Sequence, residues 1–380
     1  MNVSSTSWTP FFQLIGSPRK RVKSSSSHKQ PQRVRPGGLS KTPRPIVTAL
    51  LPNYNHSAFI AQAIGGLVKQ THPPDEIIVI DDASTDDSVA VIEKLGRDIP
   101  TLRLIRHRSN QGATAALNRG LEDARGTLVY FGSADDFAHP VLFATLLALL
   151  QAHPQAGLAC GDTRCIDMQG RTVGFRPVAR PLWRAGFVSS EKTRKLLRAM
   201  DHWMLGGASL LRADLLKALG GLDDSLGAFA DAYALRRLAL RNGFCYTPEV
   251  LADWRIVATS YSHSIAGDAE KCIRLIDSAR QAISADPKFP TWYEAHYERR
   301  LRFALSRHAV ETRPFNTSVL AAMNGDRAID RAVLAGAERL PRISAKIAAL
   351  AWLTLRYRPT SLTRVAITSL LRYFERKVQT

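Results

Sequence analysis

Acidic side chains are missing from the first 44 residues, which carry nine Lys or Arg and no Asp or Glu. They are nearly missing from the other end, where residues 342–380 set eight basic side chains against Glu375 alone. The chain carries +19 overall, so +9 at one end and +7 at the other leave only +3 between them. Basicity confined to the ends, with no aromatic-rich basic platform in the body, disfavours a nucleic-acid-binding protein. Cysteine is scarce as well. Cys160, Cys165, Cys245 and Cys272 form no CxxC pair and no zinc-type spacing, which reads as buried, reduced thiols in a reducing compartment. No stretch reaches the roughly 18 apolar residues of a membrane span; "IAALAWLTL" near the C-terminus is about half that. "FFQLIG" at Phe11–Gly16 is too short for a signal peptide, with its charges following it, and no amphipathic helix accompanies the acid-free start as a transit peptide would require. Neither GxxxxGK[ST] nor GxGxxG occurs, so no glycine-rich loop cradles phosphates, and nucleotidyl transfer lacks its triphosphate loop. Internal repeats are also absent.

What is present suits a soluble α/β protein. The 380 residues are 45% hydrophobic and 22% charged, enough for one large core or two modest ones. Residues 1–44, including "KSSSSHKQPQRVRPGG", have no apolar period and predict a disordered basic tail. From Pro45 strand and helix patterns alternate: strands at 46–51, 76–82, 102–107, 127–132 and 156–162, helices at 57–69, 86–95, 113–124 and 140–152. Continuous apolar strands separated by helices predict a mostly parallel sheet covered on both faces. Ligands bind such sheets beyond the C-terminal strand ends, where "PNYN", "DDASTDD" and "SADD" sit. Residues 168–200 show no clear period and read as a mobile, substrate-facing segment. Residues 201–262 return to strand, helix, loop, helix and strand, and the pattern is helical from about 264. The last two segments look amphipathic, with Ile343, Ile347, Leu350 and Thr354 on one face and Ile367, Leu371, Phe374 and Val378 on another.

In "GTLVYFGSADDFAHP" an apolar strand ends in Asp135 and Asp136. One reading is a helix cap for the segment that follows. The other is a hard-oxygen ligand for a divalent cation that takes its remaining ligands from a diphosphate. Here the motifs together, "PNYNHSAFIAQAIGGLVKQTHPPDEIIVIDDASTDDS" followed by "NQGATAALNRGLEDARGTLVYFGSADD", resemble the donor half of a family 2 inverting glycosyltransferase of the GT-A fold. The likeness covers residues 45–163 well and 201–262 more loosely.

The resemblance implies an α/β, Rossmann-like GT-A sheet with a C-terminal helical extension. It divides the chain into a tail (1–44), a catalytic domain (45–262, with donor half 45–163 and acceptor half 164–262) and a helical region (263–380). It implies that Pro52, Tyr54, Asn55 and Asp82 hold the nucleotide, with Tyr54 and Asp82 at the base, which favours a UDP-sugar. The family's D-x-D reads Ser133–Ala134–Asp135 here, so Ser133 and Ala134 fall at the donor and Asp135 alone remains as ligand to Mg²⁺ or Mn²⁺, with Asp136 as its helper or a helix cap. The family's E-D pair reads Ala230–Asp231, which makes Asp231 the catalytic base, while Asp223 and Asp224 read as turn residues. Gly206, Gly207 and Ala208 fall in the acceptor loop, and Arg255 is placed to reach the diphosphate. The implied reaction moves a sugar from a nucleotide-diphosphate donor to a hydroxyl of a glycan or lipid-linked acceptor. Basic ends and amphipathic helices add an anionic membrane surface as partner, with the enzyme cytoplasmic and peripheral on the inner face of the cell membrane. The altered D-x-D and the lost Glu leave a second reading, a family member that binds the donor without turning it over.

Overall fold

The computed structural model describes residues 44–201, 203–256, 266–311, 314–325, 327–357 and 361–379. The expected basic tail lies outside them, and Pro45–Thr380 form a single compact unit. Its first half alternates as the sequence predicts: β1 (Val47–Asn53), α1 (Ile60–Val68), β2 (Glu76–Asp81), α2 (Ser88–Gly96), β3 (Leu102–Arg106), α3 (Ala113–Asp123) and β4 (Leu128–Phe131). Then come β5 (Phe137–Ala138), α4 (Leu142–Ala152), β6 (Leu158–Ile166), β7 (Thr172–Arg176), β8 (Gly186–Val188) and α5 (Ser190–Ala199). The second half continues with β9 (Ser209–Arg212), α6 (Ala213–Ala218), α7 (Ala230–Asn242) and β10 (Phe244–Arg255). Helices follow: α8 (Ala269–Ala285), α9 (Tyr293–Ala309), α10 (Thr317–Asn324), α11 (Ala328–Glu338), α12 (Arg342–Tyr357) and α13 (Leu362–Gln379).

The strands form one sheet in the order β3-β2-β1-β4-β9-β6-β10-β5, with β7 on β6 and β8 on β10. The first four run parallel, and β9 joins β4 antiparallel. Successive side chains of a strand face opposite sides, so β1 sends Val47, Ala49 and Leu51 into a core with α1 and α4, and Leu50 into another with α3 and α7. Both faces being covered is why the strands read as unbroken apolar runs. The C-terminal helices belong to the second core: Phe289 stacks between Tyr233 of α7 and Tyr293 of α9, with centroids at 5.6 and 5.2 Å.

Three expectations change. Residues 168–200 are not irregular: they supply β7, β8 and α5, whose first turn is capped by Ser189 Oγ accepting from the Lys192 amide. Asp136 caps no helix, because β5 intervenes and α4 begins only at Leu142 without a side-chain cap. In α12 the packed face is Ala345, Ala349, Leu353 and Tyr357, all buried, while Ile347 points outward at 63% exposure. The side chains of Ile343 and Val378 lie outside the described residues.

The final helix α13 packs with its polar side inward. Arg180, fully buried after β7, donates through Nε to Asp162 Oδ2 (2.8 Å) and through Nη1 and Nη2 to Glu375 of α13 (2.7 and 3.0 Å). Arg372 of α13 reaches the same Asp162 oxygen at 2.7 Å, the Tyr246 hydroxyl donates to Asp162 Oδ1, and Thr368 Oγ1 accepts from the Arg180 amide at 3.0 Å. Ile367, Leu370, Tyr373 and Phe374 are left exposed. Of the expected apolar face, Ile367 and Phe374 point away from the protein and Leu371 is half-buried.

Candidate active site

Three strands of the parallel half end at the same edge, and their loops are tied to one another. Asn53 at the end of β1 donates through Nδ2 to Asp81 Oδ1 at the end of β2 (2.8 Å) and to Ser84 Oγ (3.1 Å). Asn55, in the left-handed region at φ 56°, accepts at Oδ1 from the Thr85 amide (2.8 Å), and its own amide donates to Ser84 Oγ (3.0 Å). Asp86 accepts from the amides of Ser57 (2.9 Å) and Ser88 (3.0 Å). Burial opposes its charge, but the Ser88 hydroxyl together with these amides outweighs it and lowers its pKa to about 2. Pro52 lies within β1 beside Ile80, and the Tyr54 ring is exposed at 44% above this braced edge.

Asp82 is 3% exposed and well occupied. Its Oδ1 takes His107 Nδ1 and the Gln111 amide, both at 2.8 Å, and its Oδ2 takes the Gly112 amide at 2.7 Å. It anchors the loop that leads into α3, and one lone pair on Oδ2 remains free of these partners.

Beyond β4, Ser133 Oγ donates to Asp135 Oδ1, Ala134 is buried, and Asp135 Oδ2 has no hydrogen bond among the described residues. Ser133–Asp136 form a turn in which the Asp136 amide donates to the Ser133 carbonyl (3.3 Å), and Asp136 rather than Asp135 lines the central cavity. Asp136 Oδ1 accepts from the Arg255 amide at 2.9 Å, and burial with the neighbouring Asp135 pushes its carboxyl well above the ordinary value. The Arg255 guanidinium is engaged by the chain itself. Nε donates to the Asp135 carbonyl (3.1 Å), Nη1 to the Asp167 carbonyl (3.2 Å), and the group lies over the Phe59 ring at 5.0 Å. The following "SYSH" falls outside the described residues.

The cavity, about 400 Å³, has Asp136 on one wall and Asp231, in the first turn of α7, on another. Asp231 Oδ1 accepts from the Ala232 amide at 2.6 Å. Burial raises its pKa, offset in part by that amide and by Arg236. Gly206, at the turn into β9, leaves the space between them open: a Cβ there would lie 3.2 Å from Asp231 Oδ2 and 3.4 Å from Phe131 Cβ. The structure therefore joins Ser133, Asp231, Gly206 and Gly207 at one cavity. Asp223 caps its own turn by accepting from the Ser225 amide, as a turn residue should. All four cysteines are buried and free.

Other lining groups were not legible in the sequence. Asp253 of β10 accepts from His139 Nε2 (2.9 Å) and from Arg164 Nε and Nη2 (2.7 and 2.6 Å), and these partners outweigh burial to lower its pKa. Tyr297, Arg300 and Ala304 of α9 close the far wall. Behind Asp231, buried Asp201 binds Arg236 Nε at 2.7 Å and the Tyr293 hydroxyl at 2.9 Å, and lies 3.5 Å from Arg300. These contacts are made across 35 to 114 residues, so no local spacing signals them.

Comparison with known proteins bears on the same elements. Residues 48–219 match the family model described as glycosyl transferase family 2. The chain is 33% identical over 134 residues to the uncharacterized glycosyltransferase YibD of Escherichia coli K12, covering 35% of this chain and 39% of that one. It is 31% identical over 93 residues to TuaG of Bacillus subtilis, a glycosyltransferase assigned to teichuronic acid biosynthesis, covering 24% and 37%. The chain thus spans well under half the length of these relatives. Among solved structures, TarS 1–349 of S. aureus with UDP-GlcNAc superposes with TM-score 0.54 at 18% identity, covering 82% of this chain and 91% of that one. The mannosyltransferase PcManGT of Pyrobaculum calidifontis, solved with GDP-Man and Mn²⁺, gives 0.52 at 23%, covering 88% of each. At such identities the likeness is one of fold.

Proposed function

We propose, from a chain whose residues 48–219 match the glycosyl transferase family 2 model, that it transfers a sugar from a nucleotide-diphosphate donor to a hydroxyl of a glycan or lipid-linked acceptor, with inversion. The observation that carries this reading is the placement of Asp136 and Asp231 on one cavity at the edge where the parallel strands end. In this reading residues 45–163 hold the donor and 164–262 the acceptor, with residues 263–380 closing the cavity. The exposed Tyr54 ring stacks on the base, Asp82 offers its remaining lone pair to a uracil imide, and the Pro52–Asn55 turn fixes both. A UDP-sugar is the favoured donor.

Asp135 and Ser133 present only hard oxygen, and no cluster of three metal-binding side chains occurs among the described residues. That set fits Mg²⁺ or Mn²⁺ held largely by the diphosphate, with Asp135 Oδ2 as the protein's carboxylate ligand. When bound, the cation offsets charge on the leaving diphosphate. Asp231 takes the proton from the acceptor hydroxyl, and Gly206 lets that hydroxyl approach. Asp136 holds β4 to β10 through the Arg255 amide, keeping the two walls in register.

No helix among the described residues is long and apolar enough to cross a membrane. The exposed apolar stripe of α13 and the basic C-terminal end support a cytoplasmic enzyme peripheral to the inner face of the cell membrane. The test is a panel of nucleotide-sugars with Mn²⁺, read by calorimetry and by product formation. Asp135→Ala should abolish metal-dependent nucleotide binding. Asp231→Asn should keep donor affinity and lose at least about 10²-fold in transfer, the scale of general-base catalysis. Transfer at the parental rate in Asp231→Asn would refute the assignment, and donor binding without turnover in the parent chain would favour the binding-only reading.

A further inference from the structure

Beside the reaction cavity lies a second one of about 350 Å³ that shares Arg176 and Ala304 with it. Its walls are mainly apolar, with Val178, Phe303, Leu350 and Val365 among them. Two arginines face it, Arg176 at the end of β7 and Arg307 on α9. Among the described residues neither side chain makes a hydrogen bond or ion pair, and Arg307 Nε is buried without a partner. Burial, with Arg307 and Arg372 nearby, lowers the pKa of Arg176. Two half-buried guanidinium groups that repel each other, one with its Nε fully buried, are costly unless an anion joins them.

The acids within reach are already engaged. Asp201 also lines this cavity, but it is held by Arg236, Tyr293 and Arg300. Glu311, which acts on both arginines electrostatically, sits 3.7 Å from His308 and 3.9 Å from Lys346. No carboxylate among the described residues forms an ion pair with either arginine.

The geometry points to a site for a lipid phosphate: its phosphate between Arg176 and Arg307, its hydrocarbon chain along Phe303, Leu350 and Val365. Guanidinium forks match phosphate oxygens, and the apolar walls favour a chain-bearing phosphate over a free one. Leu362, 66% exposed, stands at the rim where α13 begins, so the chain leaves toward that helix's outward apolar stripe. Because Arg176 borders both cavities, a phosphate held there puts the group attached to it next to Asp231. The inference rests on the lipid-linked branch of the proposed acceptor and gives that acceptor a place.

Calorimetry on the full chain with farnesyl phosphate, farnesol and inorganic diphosphate tests it. Farnesyl phosphate should bind at least about tenfold tighter than either of the others. Arg307→Gln should weaken it by about tenfold or more and Arg307→Lys by less. UDP and GDP, each with Mn²⁺, should bind the variants as they bind the parent, which also shows that the variants are folded. Parental affinity for farnesyl phosphate in Arg307→Gln, equal binding of diphosphate, or displacement by UDP or GDP would overturn the site. Absence of nucleotide binding in the parent chain would overturn the transferase reading instead, while the farnesyl phosphate arms still decide the site.

Discussion

Asp162→Asn should loosen one end of the molecule. Asp162 is fully buried, and its two oxygens serve three donors: Arg180 Nε at 2.8 Å, Arg372 Nη2 at 2.7 Å and the Tyr246 hydroxyl. The amide keeps the tyrosine contact at its oxygen and turns an N–H₂ toward two guanidinium groups. Arg180 retains Glu375 and the Pro248 carbonyl, at 3.0 Å, whereas Arg372 loses its acid. Removing one partner of a buried ion pair costs about 3–5 kcal/mol, and the retained Glu375 puts this case near the lower end. Against a typical total of about 5–15 kcal/mol that is a large fraction. Most of α13's apolar side faces outward, so little else holds the helix, and the cheapest relief is for it to detach. Hydrogen exchange should therefore show faster exchange across 362–379 with a smaller change in β1 and β2, and urea unfolding should shift to lower midpoint. Arg372→Gln should cost less, since Arg180 still neutralises Asp162. Parental exchange across 362–379 and an unchanged urea midpoint in Asp162→Asn would refute the reasoning.

Two further outcomes follow. Because burial raises the Asp231 pKa above its usual 3.8, transfer should rise with pH through a limb above that value and fall below it as the base takes up a proton; a pH–rate profile checks this, and a limb unchanged in the residual activity of Asp231→Asn would belong to another group, Asp136 first. The chain should float with anionic vesicles, less so at high salt and less when residues 342–380 are removed, and equal recovery with neutral vesicles would rule out the proposed membrane surface.

The parallel half was legible because β1, β2 and β4 are buried on both faces, which leaves a sequence mark that short strands lack. β5 has two residues, β8 three, and β7 is largely exposed, so none carries a period that outweighs its surroundings. Asp135 and Asp136 could be placed together at a strand end, but which of them enters the cavity depends on the tight turn into β5. Asp231 was legible from its motif; the wall opposite, from α9, was not. Periodicity likewise marked α13 as amphipathic without saying which side is inside. That is decided by Asp162, 210 residues away from Arg372, whose demand for cations draws the polar side inward.

The cavity takes Tyr297, Arg300 and Ala304 from α9, well beyond residue 219, where the family match ends. On the proposed reading, nucleotide handling and acceptor choice are written in separate stretches of the gene, and the second stretch is not an appendage that can be trimmed. A chain stopped at 262 would leave Tyr233 without Phe289, Asp201 without Tyr293 and Arg300, and the cavity without its far wall. The same reading expects donor specificity to change on grafting loops before 163 without touching α9, and a graft meant to change the acceptor to need its own α8 and α9.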